Sequence, residues 1–516
     1  MTSPGIDSWR ANTPGHADDP RLPGWLVPLL LVCMAALWAG LVASSHRAPD
    51  LDGMEELVWA SSFEWGYYKH PPFPTWLLYP LTWLFGKPVW LPFLAAQVVT
   101  VLALWFIWRL GCEWTSPARS LIAVLALSTT AYFSMRGTIF NHNTVQLWSV
   151  AAATWLYYRA LKHGRLRTWM GLGAVVGLSF LTKYSIAVQL AAFAVFALAH
   201  GYWRLAAFWR GAWLAALVFL LVVSPHLIWL VDSGFAPLKY YDSRTVDDLS
   251  LGARLAEMFN FSLDQLGRNS PMLVAWLALA WWNRRTGNRS ARRYAHDMAP
   301  WDKSFLLWVA LAPYCLTVVV SVVMGSSLAA SWGTTFFILY GFFIFWWLSG
   351  DAKLNLRRML VIVALMHLLM ALGYAIARGP VAYYTGRDSR PTFPGPQLAA
   401  QMNALWQEHV PGVPLRLVAA NTWLGGNIAV NVSHQTEVYI DASFEKSPWL
   451  DPASALECGV LVVYEPGDEP DEALLRLHGI AAWRGVTRQR WSTEKSRVLE
   501  VEWGIVPPTE RCAAGK

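Results

Sequence analysis

Over its first 377 residues the chain alternates long apolar runs with short polar linkers, and then abandons that pattern. A helix needs roughly 17 to 25 apolar residues to cross a bilayer. Runs of that kind occur at 25–44, 89–110, 117–135, 143–161, 210–231, 304–324, 328–349 and 358–377. Three further runs are less regular: 169–182 and 185–202 are parted only by Lys183 and Tyr184, and 271–283 is short. Together they predict a mainly α, polytopic membrane protein with about eleven transmembrane helices. Residues 76–85 are apolar too, but the run is short and contains Pro80, so it predicts a helix lying at the interface.

From residue 378 onward the periodicity changes. Pro391, Pro394 and Pro396 make a stiff connector, a helical pattern follows over 397–409, and short β-branched runs stand at 415–419, 438–440, 460–464 and 498–503. These predict a small α/β domain, 378–516, appended to a transmembrane region, 24–377, with no internal repeat. Residues 1–23 are polar, with Pro and Gly, and predict a disordered cytoplasmic tail. The apolar run behind them lacks a small-residue cleavage site, which predicts a retained first helix. Residues 287–300 read as a flexible basic loop.

Charge sets the expected orientation. The linkers 159–167, 204–210, 284–293 and 353–358 are rich in Lys and Arg and fall on one side of an eleven-crossing arrangement, which the positive-inside rule makes cytoplasmic. The other face receives the first loop, 45–88, the 136–143 turn, Lys183, the long 232–270 segment and everything after Arg378. A crossing at 76–85 would turn every later basic linker outward. The expected location is a bacterial inner membrane, with the C-terminal domain periplasmic.

Composition agrees with this reading. The chain is 55% hydrophobic and 15% charged, against about 25% charged in soluble domains, and its 32 Trp suit interfacial belts. The net charge of +7 comes from the short linkers, so it argues for membrane orientation and against a nucleic-acid partner. Of five cysteines, Cys33, Cys112 and Cys315 lie in or beside apolar runs and read as packing residues. Cys458 and Cys512 are the only two in the C-terminal region, where an oxidising compartment lets a disulfide persist. Either they are bonded, or Cys458 is buried and Cys512 exposed and free. No cysteine spacing suits a metal, and no Gly-rich phosphate loop is present.

Candidate chemistry concentrates between Asp50 and Trp76. Asp50, Asp52, Glu55, Glu56 and Glu64 face only Arg47 and Lys69 in charge, and Gly66-Tyr67-Tyr68-Lys69-His70-Pro71-Pro72 follows. Composition alone reads this as an acidic, solvated loop. The double proline instead suggests a fixed backbone that holds a base near a ligand.

Asp52-x-x-Glu55, Trp65-Gly66-Tyr67, His70-Pro71-Pro72 and Trp76 resemble the first extracytoplasmic loop of the bacterial family 39-like glycosyltransferases. These are class C enzymes related to protein O-mannosyltransferases and the lipid A aminoarabinose transferase. The resemblance continues through Phe140-Asn141-His142-Asn143-Thr144, Leu181-Thr182-Lys183-Tyr184-Ser185 and Ser224-Pro225-His226-Leu227-Ile228-Trp229. Near the C-terminus it covers Asn421-Thr422-Trp423-Leu424-Gly425-Gly426-Asn427 and Ser447-Pro448-Trp449.

The resemblance implies inverting transfer of a sugar from a polyprenyl-phosphate donor to a lipid-linked or cell-surface glycan acceptor, with no nucleotide-sugar site; no cofactor is expected, and no residue set reads as a metal site. It makes Asp52 the general base, with Glu55, one helical turn on, as the fallback. Lys69, His70, Arg136, His142 and Lys183 would stabilise the leaving phosphate; the bland reading of Lys183 is a snorkelling side chain. Tyr240, Tyr241 and Arg244 would stack on sugar or form a lid, and Pro225-His226 would either kink a helix to open a cavity or belong to an interfacial belt. The competing function is a non-catalytic lipid or glycan transporter, for which related halves or mid-membrane charges would be the sign.

Overall fold

A computed structural model describes residues 19–242, 249–287, 298–325, 327–348 and 351–514. Most of the tail expected to be disordered, Arg244 and nearly all of the basic 287–300 loop lie outside the described residues. The transmembrane region is built from α1 (Leu26–Ser45), α2 (Leu51–Trp59), α3 (Phe73–Phe85), α4 (Trp90–Trp114), α5 (Pro117–Ser128), α6 (His142–His163), α7 (Leu166–Phe180) and α8 (Ile186–Ala199). It continues through α9 (Ala206–Asp232), α10 (Ala236–Asp242), α11 (Leu251–Arg285), α12 (Pro300–Met324), α13 (Ala352–Ile376) and α14 (Ala382–Thr385). Among the described residues five helical segments are long and apolar enough to cross a membrane: α1, α4, α9, α12 and the stretch from α13 to α14. Three shorter apolar helices, α5, α7 and α8, pack among them.

Several crossings expected from hydropathy take other forms. The 117–135 run is helical only to Ser128 and then turns, where the Thr129 and Ser134 hydroxyls donate to the Ala126 and Thr130 carbonyls. The 271–283 run is the end of the 35-residue α11, which reaches back to Leu251 through what hydropathy reads as a polar loop. The 328–349 run forms no α-helix among the described residues. It makes two 3-10 segments, Ala330–Thr335 and Tyr340–Trp346, pressed against α5 and α11. A Cβ on Gly333 would lie 2.2 Å from the Gln265 amide, and one on Gly341 would lie 2.4 Å from the Ala123 carbonyl. A helix about 10 Å across does not fit a groove that tight.

The C-terminal domain carries α15 (Gly395–His409), β1 (Leu417–Ala420), α16 (Thr422–Val432), β2 (Glu437–Ile440), β3 (Val460–Tyr464), α17 (Glu472–Gly479), β4 (Trp483–Arg490), β5 (Val498–Val506) and α18 (Glu510–Ala514). The strands form one sheet in the order β2-β1-β3-β5-β4, parallel across β2, β1 and β3, and antiparallel across β3, β5 and β4. β1 and β3 are buried throughout, as strands covered on both faces must be. β4 escapes hydropathy because it is an exposed edge, where Arg484, Arg488 and Arg490 discourage further pairing. Cys458 and Cys512 are disulfide-bonded, with Cα atoms 4.8 Å apart, so the last helix is tied to the start of β3. Cys112 is half-buried, whereas Cys33 and Cys315 are exposed on the helical bundle rather than packed in it.

The two regions meet at α2. Its buried face, Met54, Leu57, Val58 and Trp59, is covered on one side by the bundle and on the other by α16 and β2. Contact with α16 is backbone-close: a Cβ on Gly426 would stand 2.7 Å from Met54 Cγ, and one on Gly425 would stand 2.7 Å from Val438 Cγ1. The paired glycines of the Asn421–Asn427 motif therefore let α16 slide between sheet and loop helix. Gly426→Val is expected to leave the C-terminal sheet folded but to unseat α2, at an overpacking cost of about 1 to 3 kcal/mol. Hydrogen exchange at residues 51–59 should rise in that variant while the 460–464 strand stays protected; unchanged exchange at 51–59 would show that the contact does not hold the helix.

Candidate active site

The site grows from the loop between α2 and α3. Tyr67 and His70 exchange backbone hydrogen bonds, N–H to O at 3.1 Å each way, and so close a tight turn with Tyr68 and Lys69 at its tip. Tyr67 stacks on Trp59, ring centroids 4.9 Å apart, and its hydroxyl donates to the Ser62 carbonyl at 2.9 Å. Gly66 lies flat against the Trp229 ring, where a Cβ would stand 2.2 Å from it. His226 Nδ1 donates to the Trp65 carbonyl at 2.6 Å, and Tyr184 bonds the other ring nitrogen at 2.9 Å. The Ser224–Trp229 motif thus docks the first loop onto α9, a role that neither a cavity-opening kink nor an aromatic belt describes.

Three acids on α2 end in three different states. Asp52 is solvent-exposed, and Asn141 Nδ2–H donates to its Oδ2 at 2.9 Å. Glu55 is buried and takes a 2.5 Å hydrogen bond from Lys69. Burial raises the Glu55 carboxyl's pKa, against the opposing pull of Lys69. Burial first, and then its neighbour Glu55, pushes Glu56 well above the usual carboxylate range, only partly offset by a 2.7 Å bond from the Thr75 hydroxyl to Oε2. Its Oε1 lies 3.3 Å from His142 Nδ1. His142 Nε2 must donate to the Pro71 carbonyl, 3.2 Å away, because that oxygen can only accept. A neutral His142 then has a bare Nδ1 facing a Glu56 Oε1 that has no hydrogen-bond partner among the described residues, a gap that a proton on Glu56 would fill. His70 packs against the same ring, centroids 4.0 Å apart and planes tilted by 38°, and burial first, with Lys183 and Lys69 adding to it, holds it well below the ordinary imidazole pKa.

Cations approach from the other side. Lys183 sits in the break between α7 and α8 and donates to Asn143 Oδ1 at 2.6 Å; Gln146 Nε2 donates to the Lys183 carbonyl at 2.8 Å, and Gln146 Oε1 accepts from the Ser185 hydroxyl at 2.9 Å. Burial lowers the Lys183 pKa to about 8, with the field of Asp52 opposing. Its ammonium is therefore turned inward to the site and is not the end of a snorkelling chain. Arg136 lies in a short 3-10 turn, Arg136–Thr138, where burial and the neighbouring Arg268 both disfavour its charge. Arg268 Nη1 is buried without a hydrogen-bond partner among the described residues. Two guanidinium groups that repel each other, one with an unpaired N–H, suit an anion.

The structure brings Asp52, Glu55, Lys69, His70, His142, Lys183 and Tyr240 around α2; the Tyr240 ring lies 5.4 Å from Lys69 Nζ and 6.5 Å from the His70 ring. Glu56, Thr75, Asn141, Asn143 and Arg268 were not read as site residues. Asn141 is the N-cap of α6, accepting from the Thr144 N–H at 2.9 Å while donating to Asp52, and a helix-start pattern conceals that second bond. Arg268 was hidden by the reading of 232–270 as a loop. Among the described residues no group of three or more His, Cys, Asp or Glu is set to hold a metal ion.

Comparison with known proteins bears on the fold and the family resemblance. Residues 69–229 match the family described as dolichyl-phosphate-mannose-protein mannosyltransferase. The lipopolysaccharide core galacturonosyltransferase RgtA of Rhizobium johnstonii is 22% identical across 73% of this chain and 75% of its own length. The lipid A galacturonosyltransferase RgtD of the same organism is 24% identical across 67% and 70%. RgtB, a second core galacturonosyltransferase, is 26% identical, but there the match spans less than half of either protein, 44% and 45%. The crystal structure of ArnT from Cupriavidus metallidurans bound to undecaprenyl phosphate superposes with a TM-score of 0.60 over 93% of this chain and 98% of that one, at 15% identity. The resemblance to class C membrane glycosyltransferases read from the motifs is thereby shown, and the fold is of the ArnT type.

The Glu56 contacts generate a sharp expectation. Glutamine can donate to His142 Nδ1 and accept from Thr75 as a protonated Glu56 does, so Glu56→Gln should keep most of the activity. Glu56→Ala, which orphans buried groups, should lose about 1 to 3 kcal/mol, or one to two decades of rate. Equal loss in both variants would mean that Glu56 works as an anion.

Proposed function

We propose that this protein, built on the class C fold with glycosyltransferases as its sequence relatives, transfers a sugar from a polyprenyl-phosphate carrier to a lipid-linked glycan at the outer face of the membrane. The observation that carries this reading is Asp52: an exposed carboxylate on a clamped helix, aimed by Asn141, with Lys183 in its field. In the proposed reaction Asp52 takes the proton from an acceptor hydroxyl. The oxygen attacks the anomeric carbon as the carbon–oxygen bond to the carrier phosphate breaks, and the configuration inverts. The electron pair leaves with the phosphate, whose growing charge Lys183, Arg136 and Arg268 are placed to offset. His70 and His142, both held neutral in this account, would pack the reacting groups without adding charge, and Tyr240 would give the sugar a flat wall beside Lys69. Glu55, locked to Lys69, is less suited to be the base. The names of RgtA, RgtD and ArnT favour a lipopolysaccharide precursor as acceptor and an undecaprenyl-phosphate sugar as donor.

Asp52→Asn should lower turnover by about two to four decades, the usual contribution of a general base, without altering folding. Glu55→Gln should leave a larger residual rate, since it breaks an ion pair instead of removing the base. Lys183→Ala should weaken use of the polyprenyl-phosphate donor by one to two decades, about 1.5 to 3 kcal/mol, with little change in acceptor dependence. Normal turnover of Asp52→Asn with a purified donor would overturn the mechanism.

Orientation is testable separately. The site lies at the start of α6, and the exposed Arg165 lies beyond its other end, a helix of 22 residues or about 33 Å away. A membrane-impermeant thiol reagent should label Gly467→Cys but not Arg165→Cys in intact spheroplasts. The reverse pattern would put the site in the cytoplasm.

A further inference from the structure

Beyond the acids of α2 lies a second polar hollow of about 420 Å³, between the end of α13 and the connector to the C-terminal domain. Asp50, Arg378, Arg387, Asp388 and Arg390 line it. Its carboxylates are already engaged: Asp50 accepts from Arg378 Nη2 at 3.0 Å, and Asp388 pairs with Arg497 at 3.0 Å. Arg387 has no carboxylate partner among the described residues, and the Arg390 guanidinium lies over the Trp423 ring at 5.6 Å. The hollow therefore presents two uncompensated guanidinium groups, and guanidinium favours bidentate contact with phosphate or carboxylate. Its volume suits a small polar headgroup.

The backbone places this hollow at the lipid boundary. α13 passes through a π-helical turn, Ala377–Val381, that contains Pro380, so the chain turns where the apolar helix ends. Ile376, Val381 and Tyr384 are exposed on that segment, at 49%, 48% and 72%. Apolar side chains thus point outward where lipid would lie, and arginines of the same short stretch point into the hollow. A free phosphate would need the arginines alone; the apolar fringe is what an attached acyl chain adds.

We propose that this hollow binds the phosphate-bearing headgroup of an anionic lipid, with Arg387 and Arg390 as its main cations. Under the transferase reading that lipid is the acceptor, and the hollow is its anchor. Arg378 ties the hollow to Asp50, the residue that precedes α2, so an anchored headgroup lies one helix start away from Asp52.

The test uses the full-length protein in neutral detergent and native mass spectrometry with phosphatidic acid, phosphatidylcholine or inorganic phosphate as the probe. Wild type should retain phosphatidic acid over phosphatidylcholine by about tenfold, and Arg387→Gln/Arg390→Gln should cut that preference to about twofold. The change on substitution is the readout, because the cations proposed for the carrier phosphate bind the same probe. Both side chains are exposed, so the variant is expected to fold. Arg387→Lys/Arg390→Lys, which keeps the charge, should retain most of the preference. An undiminished preference in the Gln variant overturns the site, as does equal loss in the Lys variant, which would mark a purely structural role. Displacement of the lipid by inorganic phosphate at equal concentration would assign the hollow to a soluble anion and overturn the lipid. None of these readouts needs sugar transfer: a protein that binds as expected but transfers nothing would sink the transferase reading and leave the site standing.

Discussion

A nine-residue helix carrying three carboxylates in five positions has little reason to stay folded by itself, and the structure depends on the clamp that keeps α2 in place. One jaw is the membrane bundle, through Leu57, Thr75 and Leu78; the other is α16, brought to backbone distance by Gly425 and Gly426. Arg378 holds the start of the helix through Asp50, and Lys69 holds its middle through Glu55. Removing either jaw would expose Trp59 and Met54 and leave Glu56 in a void without its partners. The C-terminal domain is therefore one wall of the site as well as an appendage to the bundle.

That clamp also sorts the acids. Burying three adjacent anions would be prohibitive, since each must lose its hydration. The fold avoids the problem by giving each a separate fate: Glu56 is buried between Thr75 and His142, where burial favours its protonated form, Glu55 is paired with Lys69, and Asp52 remains at the surface. Only the exposed one is free to take up a proton from outside. Burial disfavours charge on the His70–His142 pair as well, and with Lys69 paired to Glu55 the cations left without a carboxylate partner among the described residues are those of the Lys183 and Arg136–Arg268 side.

The helical bundle accommodates this polar core by being irregular. α7 stops at Phe180 and α8 starts at Ile186, and the break puts Lys183 and its carbonyl within reach of Asn143 and Gln146. Non-helical backbone at such depth is tolerated where it is buried in protein and its polar groups are satisfied. The 3-10 passage at 330–346 follows the same rule, with Gln265 Nε2 donating to the Ala330 carbonyl at 3.2 Å. These departures from regular helices lie within the apolar runs that gave the weakest or most misleading hydropathy readings.

Sequence alone determined a great deal here, because hydrophobic periodicity and charge asymmetry are local. The membrane class, α1, α4, α9, α12 and α13, the α/β character of the C-terminal region and the pairing of Cys458 with Cys512 as one of two alternatives were all legible. So were the motifs, whose polar residues turn out to be the ones that touch: Asn141 with Asp52, His142 with Glu56, Asn143 with Lys183, Tyr184 with His226. What the sequence could not convey was the purpose of each touch. Asn141 and Gly425-Gly426 stand in the sequence only as members of motifs, and Arg268 lies unmarked in the 232–270 segment, because each acquires its telling partner from an element far along the chain. Whether an acid is protonated, paired or exposed depends on what covers it, and for α2 the cover comes from α16, more than 360 residues away. Burial and long-range pairing are properties of the packed chain, so only the tertiary structure could set Asp52, Glu55 and Glu56 apart in exposure and partners.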